Sequence, residues 1–127
     1  MKRHAKLIFT VAGMWGVLIL VPLYFLESLI NAQQPPAITH PEYYYGFLGV
    51  TLVWQFVYIL IGRNPTRYRP VMILAILAKT SYWLAVLILF LLGRVQTQVF
   101  VVSLPDLLLT ILFAIAYSTT PVRDDVS

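Results

Sequence analysis

The chain alternates between long apolar runs and short polar segments. Four runs, at residues 7–30, 44–62, 70–92 and 99–118, contain few charged side chains. An α-helix rises 1.5 Å per residue, so about 20 residues cross a hydrocarbon core of about 30 Å. The pattern predicts a single all-α domain, a bundle of four transmembrane helices in up-down-up-down order.

The segments between the runs contain the prolines that separate the predicted helices. Residues 31–43 form a polar loop, and Pro22 is expected to kink the first span. The turn RNPTRYR, residues 63–69, separates the second and third spans. The segment before the first run is basic, as in a signal peptide, but the run exceeds the usual 7–15 apolar residues. We interpret it as a retained helix.

Composition supports the membrane interpretation and excludes several chemistries. The chain is 60% hydrophobic and 11% charged, whereas soluble domains are roughly 25% charged. The net charge of +4 does not indicate nucleic-acid binding, because the basic residues stand in short loops between apolar runs. The sequence has no cysteine, which excludes disulfides and thiolate metal sites.

The basic residues also predict the orientation. With four spans, one side of the membrane receives most lysines and arginines and the other side only Arg94. Because cytoplasmic loops are enriched in Lys and Arg, both termini are expected in the cytoplasm. The richer side holds Lys2, Arg3, Lys6, Arg63, Arg67, Arg69 and Arg123.

Lys79 is the most informative residue, because it is the only charge in the third run. A lysine at the centre of a membrane helix costs roughly 2.5–3.5 kcal/mol on insertion scales. Gln55 is expected at a similar depth, and Tyr82 and Trp83 lie one turn away along the helix. These residues predict either a polar pocket for an anionic or carbonyl ligand, or a structural lysine that is hydrogen-bonded inside the bundle.

Asp106 has two interpretations. As the counter-ion of Lys79 it would lower the cost of both charges, although residue counting leaves about 10 Å between their depths. Alternatively, Ser103 and Asp106 form a capping box, with the last helix starting near Leu104 instead of Val99.

Other groups give weaker hypotheses. Trp15, Trp54 and Trp83 fall near mid-depth and either line a flat apolar pocket for a quinone, sterol or carotenoid, or simply pack the bundle. Glu27, His40 and Glu42 match no metal motif and are interpreted as solvated groups, so no metal or other cofactor is predicted beyond an unidentified lipophilic ligand. No catalytic arrangement is recognised in the sequence.

Small residues at helical spacing predict close helix contacts. They form three sets on the first, third and fourth predicted spans: Ala12 and Gly16; Ser81 and Ala85; Thr110, Ala114 and Ser118.

The layout resembles the small bacterial four-helix membrane proteins described as DoxX-like. The shared features are the basic start, the loop around THPEYYYGF, the turn RNPTRYRP, and the acidic residue that opens the last span in SLPDLLLTILFAIAY. The resemblance implies a four-helix bundle in the bacterial inner membrane. It transfers no catalytic residue.

Three functions are compatible with these patterns. The first is a non-catalytic accessory or assembly subunit that contacts lipid and other membrane subunits or itself. The second is a binding protein or enzyme for a small lipophilic molecule, with its pocket around Lys79. The third is a small oligomeric transporter or channel, because four helices with few polar groups make a poor water path alone.

Overall fold

The computed structural model describes residues 2–33 and 39–121, and the regular elements within these ranges are all α-helices. The prolines 35 and 36 of the predicted loop, and Arg123, lie outside the described residues. The all-α prediction is confirmed. The helices are α1 (Lys2–Leu23), α2 (Glu27–Gln33), α3 (Pro41–Arg63), α4 (Arg69–Leu91) and α5 (Thr97–Thr119).

Four of these helices are long and apolar enough to cross a membrane, namely α1 from His4 onward, α3, α4 and α5. At most 28% of the most apolar window of each helix is buried inside the bundle. Large apolar side chains such as Leu18 and Leu91 are instead 73% and 74% exposed. A helix with apolar residues on all sides is typical of a membrane span, so the chain is a membrane protein by the length and composition of its helices.

The first span is shorter than predicted. A continuous span over 7–30 was expected, but α1 ends at Leu23 and a turn leads into α2. Pro22 lies in the last turn of α1, and the carbonyl of Leu23 accepts a hydrogen bond of 2.5 Å from the Tyr44 hydroxyl. The same carbonyl accepts a backbone hydrogen bond from the Leu26 amide at 3.3 Å, so Tyr44 adds a side-chain partner at this helix end. Residues 31–33, predicted as loop, belong to α2.

The helices pack in two pairs, α1 with α3 and α4 with α5, and α1 also contacts α5. Glycine permits the close approach of α1 and α3. A Cβ atom at Gly13 would lie 2.6 Å from the carbonyl oxygen of Gln55, and one at Gly62 would lie 2.9 Å from the amide nitrogen of Thr10. Small residues let the backbones of two helices approach closely, and such packing drives the association of helices in a membrane.

An aromatic cluster forms the centre of the buried core. The ring of Phe9 in α1 stacks on Phe113 in α5 at 4.3 Å between centroids, and Tyr58 in α3 meets Phe113 edge-on at 5.0 Å. Met72 and Ala75 of α4 complete the cluster and are fully buried. Side chains from α1, α3, α4 and α5 therefore meet in one core.

Arg69 joins the start of α4 to the end of α5. Its Nε donates to the carbonyls of Tyr117, at 3.3 Å, and Thr120, at 2.9 Å. Its guanidinium carbon also lies 3.9 Å from the centroid of the Tyr117 ring. The last carbonyls of a helix lack partners within the helix, and α5 has no basic residue in its own last turn. Arg69 therefore supplies the cap from the neighbouring helix.

Candidate functional site

The polar centre of the described bundle lies between α4 and α5. The Nζ atom of Lys79 is 2.7 Å from Oδ1 of Asp106, which is a hydrogen-bonded ion pair. The side chains are 10% and 20% exposed, respectively. The structure therefore brings Asp106 to Lys79 as the predicted counter-ion.

The helix that contains Asp106 begins earlier than the capping box implies. α5 starts at Thr97, so Ser103 and Asp106 lie inside it, and the Ser103 hydroxyl donates to the carbonyl of Phe100 at 2.7 Å. The capping-box interpretation is wrong. Asp106 is about 13–14 Å along α5, and Lys79 is about 18 Å from the adjacent end of α4 at Leu91. The flexible lysine stem spans the remaining distance.

An aromatic ring from α3 also faces the lysine. The Nζ atom of Lys79 lies 5.5 Å from the ring centroid of Tyr58, which is within the range of a cation–π interaction. Tyr58 itself is 2% exposed. Lys79 thus interacts with both α5 and α3. In the described part of the chain, no buried side-chain nitrogen or oxygen lacks a hydrogen-bond partner.

A second polar link between α4 and α5 lies beside the ion pair. The indole Nε1 of Trp83 donates to the Thr110 hydroxyl at 3.1 Å, and that hydroxyl donates to the backbone carbonyl of Asp106 at 2.8 Å. An indole N–H in an apolar region needs an acceptor. Trp83 was predicted as a pocket residue and Thr110 as a packing residue, and the structure joins them.

The remaining residues of the predicted pocket take part in contacts with other residues. The side-chain amide of Gln55 donates through Nε2 to the backbone carbonyl of Thr51 in its own helix. The Gln55 side chain also fills the space beside Gly16. Tyr82 stacks on Phe47 at 5.8 Å, and Trp54 packs near Tyr58 at 6.1 Å between ring centroids. Gln55 therefore serves the α1–α3 contact, whereas Lys79 bonds to α5.

Trp15 belongs to a different feature, a groove between α1 and α5 with a cavity of about 410 Å³. Lys79 is not part of the lining. The α5 wall is formed by Pro105, Leu108, Leu109 and Leu112. The α1 wall of this groove, hereafter the α1–α5 groove, is Leu7, Ile8, Val11, Ala12 and Trp15.

The predicted packing residues divide into two classes. Ala12 is buried in the core, and Gly16 contacts Gln55. The exposed set is Ser81, Ala85, Ala114 and Ser118. These four small side chains of α4 and α5 thus lie on the outer surface of the bundle.

The acidic and histidine side chains around α2 and the start of α3 contact residues that are close to them in the structure. The Tyr45 hydroxyl donates to Oε1 of Glu27 at 3.0 Å. His40 lies 4.0 Å from Glu42 and stacks on Tyr43 at 4.7 Å between ring centroids. Within residues 2–33 and 39–121, no group of three potential metal ligands is found.

Several residues of these contacts were not singled out from the sequence. Tyr58 could not be distinguished from the other aromatic residues of the apolar runs. Arg69 was distinguished only by its contribution to the charge of the turn. Gly13 and Gly62 each stand at a close approach of α1 and α3. Gly13 lies three residues before Gly16 and one turn from it, so glycine spacing along α1 is the signal that was available.

No protein-family model, curated protein or solved structure matches this chain. The resemblance to DoxX-like proteins therefore rests on layout alone.

Proposed function

We propose that this protein is a non-catalytic integral membrane protein that acts as an accessory or assembly subunit. The supporting observation is that the intramembrane polar side chains of α4 and α5 bond to one another. Lys79 pairs with Asp106, and Trp83 pairs with Thr110. Groups used in this way hold helices together. The interpretation of Lys79 as a structural lysine is the one that these contacts favour.

The proposed arrangement is an up-down-up-down bundle in the bacterial inner membrane with both termini in the cytoplasm. Two contacts support it, because each joins the start of one helix to the end of another. Lys6 and Thr10 near the start of α1 adjoin Gly62 at the end of α3, and Arg69 at the start of α4 bonds to Thr120 after α5. The arginine-rich turn belongs to the same end, as expected for the cytoplasmic side.

Single-cysteine labelling tests this arrangement, and the natural chain offers a clean background because it has no cysteine. Arg67→Cys and Arg94→Cys both replace exposed arginines in turns. We expect an impermeant thiol reagent applied to intact cells to label Arg94→Cys and to reach Arg67→Cys only after lysis. Equal labelling of both in intact cells would contradict the topology.

The outward small residues indicate where a protein partner would pack. Ser81 and Ala85 on α4, and Ala114 on α5, are exposed, and small side chains let a neighbouring helix approach closely. We propose that a membrane subunit or a second copy of this chain packs on the face of α4 that carries Ser81 and Ala85, hereafter the small-residue surface. The residues predicted as a lipophile pocket around Lys79 are divided among separate contacts, so that function is not our first proposal.

Site-specific photo-cross-linking tests the partner surface. A photoreactive residue at Ala85 is compared in cells with one at Val53, which is 59% exposed on α3 and serves as a lipid-facing control. We expect a discrete protein adduct from position 85 that is weaker by about tenfold or absent from position 53. Adducts of equal strength at both positions, or none at position 85, would contradict the proposal.

A further inference from the structure

The α1–α5 groove is a second feature of the membrane-facing surface, separate from the ion pair and from the small-residue surface. All of its lining side chains are apolar, and they include one tryptophan and one proline. Leu7 and Val11 on its α1 wall are 63% and 54% exposed. Because both walls belong to candidate membrane spans, the groove is open to hydrocarbon.

The dimensions of the groove favour a slender occupant. From Leu7 to Trp15 its α1 wall is about 12 Å long at helical rise. A helix with a diameter of 10–12 Å would fill roughly 900 Å³ or more over that length. The cavity holds about 410 Å³, which is less than half of that volume, so a helix would lie mostly outside the groove. A lipid acyl chain is narrow enough to lie within it.

The charges at one end of the groove indicate the lipid class. The Leu7 end follows directly on the basic segment, where Lys6 is exposed and Lys2 and Arg3 precede it in the sequence. The carboxylates of the described residues lie elsewhere, because Glu27 and Glu42 are near the tyrosines of the other end and Asp106 pairs with Lys79. A basic membrane-adjacent segment attracts anionic headgroups.

We propose that the α1–α5 groove binds one anionic phospholipid. One acyl chain occupies the groove from Leu7 to Trp15, and the phosphate lies at the basic segment within reach of Lys6. This inference does not depend on the accessory function, because the groove and the small-residue surface are different parts of the bundle.

Native mass spectrometry on the full chain tests the proposal. The protein is reconstituted with equal amounts of phosphatidylglycerol and phosphatidylcholine, and the retained lipid is identified and its affinity measured. Val11→Phe fills the groove, and Val53→Phe is the matched control, since the two valines are 54% and 59% exposed. Lys6→Gln removes the exposed basic side chain at the Leu7 end of the groove. Arg94→Gln is its control, because Arg94 lies in the turn between α4 and α5 at the other end of the bundle.

We expect the wild-type chain to retain one phosphatidylglycerol in preference to phosphatidylcholine. Val11→Phe should weaken that binding by about tenfold or more, and Val53→Phe should leave it unchanged. Lys6→Gln should reduce the preference for phosphatidylglycerol, whereas Arg94→Gln should not. Equal effects of Val11→Phe and Val53→Phe would overturn the proposal, as would a dimer that only Val11→Phe dissociates, which would place a second copy in the groove.

Discussion

Lys79 and Asp106 meet at 2.7 Å although they are 27 residues apart in the chain and on different helices. Each charge alone would be costly within a membrane span, by roughly 2.5–3.5 kcal/mol on insertion scales. Together they fix the register of α4 against α5. The Trp83–Thr110 hydrogen bond lies beside the pair and links the same two helices. Two polar links therefore define this helix pair.

The indole–hydroxyl link leads to a prediction for Thr110. Thr110→Val keeps the shape but removes the acceptor of the Trp83 N–H. We expect the free energy of unfolding to fall by between about 0.6 kcal/mol, the average for hydrogen bonds between membrane helices, and about 1.7 kcal/mol, the largest such value. Denaturant titration in detergent micelles measures this change. Thr110→Ser retains the hydroxyl and is the control; a valine variant as stable as the serine variant would argue against the link.

The close approach of α1 and α3 leads to a prediction for glycine. In Gly13→Ala the new Cβ would lie 2.6 Å from the Gln55 carbonyl oxygen, so backbone must move. We expect a loss of about 1–3 kcal/mol in the free energy of unfolding.

Gly46→Ala is the matched control for this substitution, because the Cβ of its alanine would meet nothing within 4 Å. We expect its stability to be unchanged or to rise by about 0.5–1 kcal/mol, since alanine favours helix over glycine. Equal losses for the two alanine variants would show that the contact is not as close as described.

The bonds of Arg69 predict its effect on the end of α5. Arg69→Met removes the donor to the Tyr117 and Thr120 carbonyls. Hydrogen bonds to charged groups are worth about 1.5–3 kcal/mol, so amide hydrogen exchange in the last turn of α5 should accelerate by about tenfold or more. Arg67→Met is the control, because that side chain is exposed and lies 5.5 Å over the Tyr68 ring. No difference in exchange between the two variants would contradict the capping role.

The sequence was sufficient to predict the helical class, because long apolar runs have few physical solutions. It also predicted the counter-ion of Lys79 as one of two roles for Asp106, whereas the Trp83–Thr110 hydrogen bond was not predicted. It was insufficient where small changes in helix ends decide the outcome. The start of α5 at Thr97 excluded the capping box, and the Lys79 side chain covers the remaining difference in depth to Asp106. Gln55 shared a predicted layer with Lys79 but packs against Gly16, because depth does not specify which side of a helix a residue occupies.

The most direct test of the structural role of Lys79 is a double-mutant cycle in the free energy of unfolding. Its variants are Lys79→Met, Asp106→Leu and the double substitution. Each single variant leaves one buried charge unpaired, and we expect it to lose about 3–5 kcal/mol. The double variant removes both charges, so its stability should return to that of the wild-type chain or exceed it. A double variant that loses the sum of the two single losses would contradict the paired, structural role.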